Sequence, residues 1–199
     1  MLHNKKLIIF DCDGVLLDSH DANRAYFNAC LDKGGYPPLS DEYREKATYM
    51  SIKQLIYEVI KNPDNAENLY QTTRNISYDP FIELLAPKFD FEKVLGKLKK
   101  HFHLSVASNR SISLKKIMSR FNLNRFFGFY VSTVDTNPKP APDMIYKCLE
   151  HFNLGKELSI FVGDSISDKE AAKNAGIDYI GIGENNNDLR SVEELLQFI

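Results

Sequence analysis

A doubly wound, Rossmann-like α/β core, interrupted after its first strand by an all-helical insert, is the fold that this sequence predicts. Three observations carry it. Leu7-Ile8-Ile9-Phe10 is an unbroken apolar run followed by polar residues and Gly14, as expected of a strand buried on both faces. From about Asp18 to about Leu85 the apolar spacing is helical almost throughout. Beyond about Phe91 short apolar runs alternate with helical segments, which is how a parallel sheet covered on both faces is written in sequence.

Taken in order, the strand Leu7–Phe10 leads to a first helix in which Ala22, Tyr26, Ala29 and Cys30 share one face, stopped by Gly34-Gly35. Ser51 is an N-cap for a second helix bearing Ile52, Leu55, Ile56, Val59 and Ile60, which ends at Asn62-Pro63. A third runs from Asp64 to about Ile76, before the break Tyr78-Asp79-Pro80. The core resumes with a helix carrying Phe91, Val94, Leu95, Leu98 and Phe102. The strand His103–Ser108, the helix Ile112–Phe121, the strand Phe129–Thr133 and the helix Pro142–Phe152 follow. Ser159–Val162 is the next strand. Ser167 to Glu170 reads as a capping box for a helix that stops at Gly176. Asp178–Ile182 is the last strand, and Ser191 caps a final helix. The expected division is therefore a core of residues 1–16 and 86–199 with a helical cap of residues 17–85.

Composition narrows the function. The 199 residues carry a formal charge of −2, so there is no basic field for nucleic acid. No apolar run approaches the roughly 20 residues that span a bilayer. The first residues lack the apolar stretch and cleavage site of a secretory signal. Cys12, Cys30 and Cys148 are too few and too scattered for a disulfide framework. A cytoplasmic protein is expected, binding neither nucleic acid nor membrane. Oligomeric state is not legible at this level.

In an open parallel sheet, ligands bind beyond the carboxyl ends of the strands. Asp11-Cys12-Asp13-Gly14 follow the first strand and Ser108-Asn109-Arg110 the second. Asn137-Pro138-Lys139-Pro140 come shortly after the third. Gly163-Asp164-Ser165, with Asp168 beyond, follow the fourth. Asp11, Asp13, Asp164 and Asp168 repel one another unless a cation or a shared proton intervenes. A hard divalent ion such as Mg²⁺ suits oxygen ligands that leave room for water and phosphate oxygens. That ion and Lys139 offset three negative charges, and one protonated aspartate removes the last. An acid beside an ionised carboxylate is what nucleophilic catalysis with a proton donor needs.

DCDGVLLDS at 11–19, VASNR at 106–110, KPAPD at 139–143 and VGDSISDKEAAKNAG at 162–176 together resemble the four motifs of the haloacid dehalogenase superfamily. Their order resembles its phosphatase branch with a helical C1-type cap, the group of the phosphoglycolate phosphatases and β-phosphoglucomutases. The likeness covers nearly the whole core, while the cap matches only in position and helical character. The resemblance implies a Mg²⁺-dependent phosphatase of small phosphorylated metabolites working through an aspartyl-phosphate. Asp11 would attack phosphorus. Asp13 would protonate the leaving group and then deprotonate water. Metal would be held by the Asp11 carboxylate, the Asp13 backbone carbonyl and Asp164, with Asp168 acting through a bound water or by orienting Lys139. Ser108 and the Asn109 backbone amide would hold the phosphoryl oxygens, and Lys139 would neutralise them.

Each motif alone has a plainer reading: Asp-x-Asp-Gly as a turn, Ser108-Asn109 as a helix cap, Lys139 as a solvated lysine, Gly163-Asp164-Ser165 as a strand-to-helix turn. Four in order outweigh those. Dehalogenases resembling this family do not need Asp13, so that branch is disfavoured. Similar sugar-phosphate mutases share Asp13 but usually carry a histidine where this chain has Asn23, and their glycine-containing cap loop is not matched by Ala47-Thr48-Tyr49-Met50. No equivalent of the Schiff-base lysine of phosphonate hydrolases is identified. A non-catalytic phospho-ligand sensor would not need both a nucleophile and a proton donor. Arg24, Tyr26, Tyr49 and Lys53 are the candidates for choosing the substrate. His20 is taken as a helix-start residue, Phe126, Phe127, Phe129 and Tyr130 as sheet packing, and Cys12, beside Asp11, as a candidate for oxidation.

Overall fold

The computed structural model describes residues 2–44, 46–48, 50–183 and 188–199. Tyr49 and the Asn185-Asn186-Asn187 loop lie outside the described residues. The chain divides into two compact units, residues 1–18 with 87–199, and residues 19–86.

The first unit is built on a five-stranded parallel sheet: β1 Leu7–Phe10, β2 His103–Ala107, β3 Phe129–Val131, β4 Ser159–Gly163 and β5 Asp178–Gly181. Spatial order is β3-β2-β1-β4-β5. Leu7 to Phe10 pair with His103 to Val106 on one side and Ser159 to Val162 on the other. Winding outward in both directions from β1 puts the topological switch point between β1 and β4, where an open sheet forms its ligand crevice. All four β1 side chains are sealed from solvent, which explains why that strand reads as continuous apolar sequence and does not alternate.

In this unit the helices are α5 Phe91–Leu98, α6 Ser113–Arg120, α7 Asp143–Phe152 and α8 Ile166–Ala175. Met144, Ile145 and Cys148 of α7 and Ala171, Ala172 and Ala175 of α8 close over Leu7, Ile9, Val131 and Phe161 in one cluster. Alanines at the α8 contact let its backbone approach the sheet closely.

Four expectations change. Ser165, not Ser167, caps α8: its hydroxyl accepts from the Asp168 amide, and Asp168 completes the capping box. Both serines fit the spacing within one residue or two, and only backbone geometry separates them. The carboxyl-terminal segment Val192–Phe198 is a 3₁₀ helix, and Ser191 makes no side-chain cap to it. Phe102 lies past the end of α5, in the turn before β2. Cys12 is fully buried, and desolvation, followed by the charge of Asp13, pushes its thiol well above the ordinary range. Both features disfavour the reactive thiolate and suit a structural cysteine.

The second unit holds α1 His20–Lys33, α2 Asp41–Arg44, α3 Ile52–Val59 and α4 Pro63–Thr73. Ser51 and Gln54 form a reciprocal capping box for α3, and Asn62 caps α4 with Pro63 in its first turn. Phe27, Leu31, Leu55, Ile56 and Leu69 make a core of its own. Among the described residues no helix is long and apolar enough to cross a membrane.

Candidate active site

The ladder of β1 continues one residue past the strand, because the Asp11 amide donates to the Val162 carbonyl at 2.9 Å. Asp11 is thereby fixed at the switch point, beside the end of β4. The turn after it needs Gly14. Its φ is +73°, and a Cβ there would lie 1.8 Å from Oδ2 of Asp164, so any side chain would displace that carboxylate. On the facing turn, a Cβ at Gly163 would lie 2.4 Å from the Asp168 Cβ. Glycine at 14 lets the two acidic turns close on each other, and glycine at 163 lets Asp168 fold back against its own turn.

Lys139 sits at the centre. Its ammonium donates to Oδ1 of Asp11 at 2.6 Å and to Oδ1 of Asp168 at 2.6 Å, with all three side chains nearly or wholly withdrawn from water. The other oxygen of Asp168 accepts from the Ser165 hydroxyl at 2.6 Å and from the amides of Ser165 and Asp164 at 3.1 and 3.2 Å. Asp168 is thus satisfied through both oxygens, which a buried carboxylate requires. The Lys139 backbone is held as firmly. Its amide donates to Oδ1 of Asn109 at 2.7 Å, and Nδ2 of Asn109 donates to its carbonyl at 3.0 Å.

Asp11, Asp164 and Asp168 each offer an oxygen within 4.8 Å of the others. Burial raises the Asp11 carboxyl well above the ordinary range; Lys139 pulls it back, and Asp168, Asp164 and Asp13 add to the rise. Partial desolvation and then the charge of Asp168 carry Asp164, which opens to solvent, up to about 6. Burial works against the Lys139 ammonium, but Asp11 and Asp168 hold it above its usual value. One buried ammonium among three carboxylates leaves surplus negative charge, and the donors are all hard oxygens. Those features fit a divalent cation of the Mg²⁺ type.

Ser108, at the end of β2, is buried, and its amide donates to the Val131 carbonyl at 3.1 Å. Asp13 stands apart from the acidic trio. Its two oxygens accept from Nε and an Nη of Arg110 at 2.7 and 2.6 Å. The sequence places Arg110 beside the Ser108-Asn109 motif without assigning it work, and this pair is what sequence reasoning misses. The Asn109 side-chain clamp on Lys139 was missed in the same way.

In the helical unit, Arg24 pairs with Asp21 at 2.8 Å. Tyr26 packs against Tyr78 and Phe81, and Lys53 lies over the rings of Tyr57 and Tyr70. Asn23 donates to the Ser19 hydroxyl at 3.2 Å and accepts from the Tyr78 hydroxyl at 2.7 Å.

Carboxylates, one lysine and a small hydroxyl gathered at the switch point of a parallel sheet suit the binding of a cation and an anionic phosphate group. The chain belongs to the haloacid dehalogenase-like hydrolase family, whose model matches residues 8–182. It is 31% identical to the phosphoglycolate phosphatase of Aquifex aeolicus over 178 residues, 86% of this chain and 81% of that protein. A phosphorylated carbohydrates phosphatase of Thermotoga maritima is 27% identical over 197 residues, covering 94% of this chain and 89% of its own length. Among solved structures, a subfamily IA, variant 1 hydrolase of the same superfamily from Geobacter sulfurreducens superposes with a TM-score of 0.81. It is 28% identical, with 98% of this chain and 96% of that one covered.

Proposed function

We propose that this protein is a Mg²⁺-dependent phosphatase of small phosphorylated metabolites that works through a phosphoryl group carried transiently on Asp11. The observation that carries the proposal is the buried Lys139 ammonium, 2.6 Å from both Asp11 and Asp168. Such an ammonium orients the nucleophile and also faces a transferred phosphoryl group. Asp11 attacks phosphorus in line with the departing oxygen. Asp13 gives that oxygen a proton, then takes one from the water that cleaves the acyl-phosphate. Ser108 and the backbone amide of Asn109 hold phosphoryl oxygens, and Lys139 offsets their charge. Asp168 acts by fixing Lys139. This division of labour suits phosphoryl transfer, which is chiefly positioning and electrostatic stabilisation.

The Asp11 carboxylate, the Asp13 backbone carbonyl and the Asp164 carboxylate would hold the cation. When bound, it supplies positive charge that neutralises the acidic cluster and the substrate phosphate. Three buried, unpaired cysteines suit a reducing, cytoplasmic setting.

The relatives' names put phosphoglycolate and phosphorylated carbohydrates first among substrates to try. A mutase of the same superfamily is the second reading. The commitment of both amide atoms of Asn23 to Ser19 and Tyr78 supports the hydrolase. The test is phosphate release across a panel of phosphorylated metabolites, with Mg²⁺ and with chelator. Free phosphate is expected from at least one small monoester, falling to background in chelator. Turnover that survives chelation would remove the metal from the account. Conversion of a sugar phosphate to its isomer with little phosphate released would favour the mutase.

A further inference from the structure

The bidentate pair between Arg110 and Asp13 has no counterpart in the roles assigned so far. Both carboxylate oxygens of Asp13 are engaged by one guanidinium, at 2.7 and 2.6 Å. A fork of this kind fixes the plane of a carboxylate as well as its position, which a lysine cannot do. The Arg110 side chain is only 8% exposed and that of Asp13 27%, so the pair is held inside the site with the carboxylate at its open edge.

Arg110 itself is anchored from three directions. Its amide donates to the Ser108 hydroxyl at 3.2 Å. Its carbonyl accepts from the Thr133 amide at 3.0 Å and from the Thr133 hydroxyl at 3.1 Å. The backbone that carries the guanidinium is therefore tied both to the phosphate-binding motif after β2 and to the end of β3. Asp13, by contrast, sits on a turn whose next residue is a glycine with positive φ. A carboxylate on so short a turn needs an external hold to keep one rotamer. Its charge reaches both Asp11 and Asp164.

We propose that Arg110 is a positioning residue for proton transfer: its guanidinium fixes the Asp13 carboxyl at the orientation from which it serves the leaving group. This rests on Asp13 being the proton donor, as proposed above. In the step concerned, the P–O bond to the leaving group breaks as the Asp13 O–H bond gives its proton to the departing oxygen. Asp13 is left ionised against Arg110. The guanidinium exchanges no proton and need not touch the substrate.

The test uses leaving groups of different basicity, because a good leaving group departs without a proton and a poor one does not. Turnover of 2,4-dinitrophenyl phosphate and of an alkyl phosphate is compared in the wild type, Arg110→Gln, Arg110→Lys and Asp13→Asn. For Arg110→Gln, kcat/KM on the alkyl phosphate, which reports the step in which the leaving group departs, is expected to fall by about 10²-fold, the usual penalty of a misplaced catalytic group. On the dinitrophenyl ester the loss in kcat/KM should stay within about 3-fold, because the later attack of water on the acyl-phosphate does not enter that ratio. Arg110→Lys keeps the charge but not the fork, so it should resemble Arg110→Gln. The ratio of the two rates within one preparation does not depend on how much of it is folded, so a destabilised variant still answers.

Equal losses in kcat/KM on both esters would overturn the proposal in favour of a structural or substrate-binding arginine. Asp13→Asn separates the two levels. If it is selectively slow on the alkyl ester while Arg110→Gln is not, only the positioning role fails. If Asp13→Asn shows no such selectivity, the proton-donor assignment fails and the positioning role with it.

Discussion

Asp11→Asn reduces phosphate release at least about 10⁴-fold, the scale of losing a covalent nucleophile, while the protein folds as before. The amide is isosteric, and its carbonyl oxygen can still accept the 2.6 Å hydrogen bond from Lys139. Burial already opposes charge at this position, so replacing a carboxyl by a neutral group adds no desolvation cost. Steady-state phosphate release and thermal melting together check it. A variant that melts normally and keeps more than a few per cent of wild-type turnover would take Asp11 out of the nucleophile role.

Lys139→Met produces the second large effect, on stability and on rate together. Removing one partner from a buried ionic cluster costs about 3–5 kcal/mol when it strands the others, and here it strands Asp11 beside Asp168. For a domain of this size that corresponds to a fall in Tm of roughly 10 °C. The sign of its pH dependence follows from Asp11. A carboxyl raised in the folded state holds its proton there at pH values where the unfolded chain has released it. Stability is therefore lost as pH rises from the unfolded value of 3.8 through the folded one. Without the ammonium Asp11 is raised further, so the deficit against wild type in chelator should be small near the unfolded value of 3.8 and grow as pH rises through the folded one. Turnover should fall by about 10³-fold, as for other losses of transition-state charge stabilisation. A Tm equal to wild type at neutral pH, or a deficit that ignores pH, would contradict the buried cluster.

Most of the core was legible because its signals are local. The apolar run Leu7–Phe10, the strand–helix alternation after Phe91 and the short polar motifs following the first four strands depend only on neighbours in sequence. Four motifs in order then placed Asp11, Lys139, Asp164 and Asp168 on one rim, and the structure brings them within hydrogen-bonding or ligand distance. What escaped depends on residues far apart. Arg110 and Asp13 are 97 positions apart, and nothing in either segment announces a bidentate pair. Asn109 looks like a cap or a phosphate ligand until its side chain is seen to grip the Lys139 backbone, 30 positions away. The choice between Ser165 and Ser167 as the α8 cap is settled by which hydroxyl meets the Asp168 amide, and that is Ser165. The helical unit was legible as helices with a capping signal at Ser51, whereas Asn62, read as the end of one helix, caps the next. The roles of its polar residues were not, because Tyr26 meets Tyr78 and Phe81, and Lys53 meets Tyr70, at separations that sequence spacing alone does not select.

The claim under all of this is that substrate phosphate passes through a covalent stage on one aspartate. Rapid acid quenching during turnover of the best substrate from the panel, followed by peptide mass spectrometry, reads that stage directly. The account predicts a phosphoryl group on Asp11 in the wild type, formed within one turnover and missing from Asp11→Asn. Steady phosphate release with Asp11 unmodified at every quench time, or the group found on another residue, would contradict it.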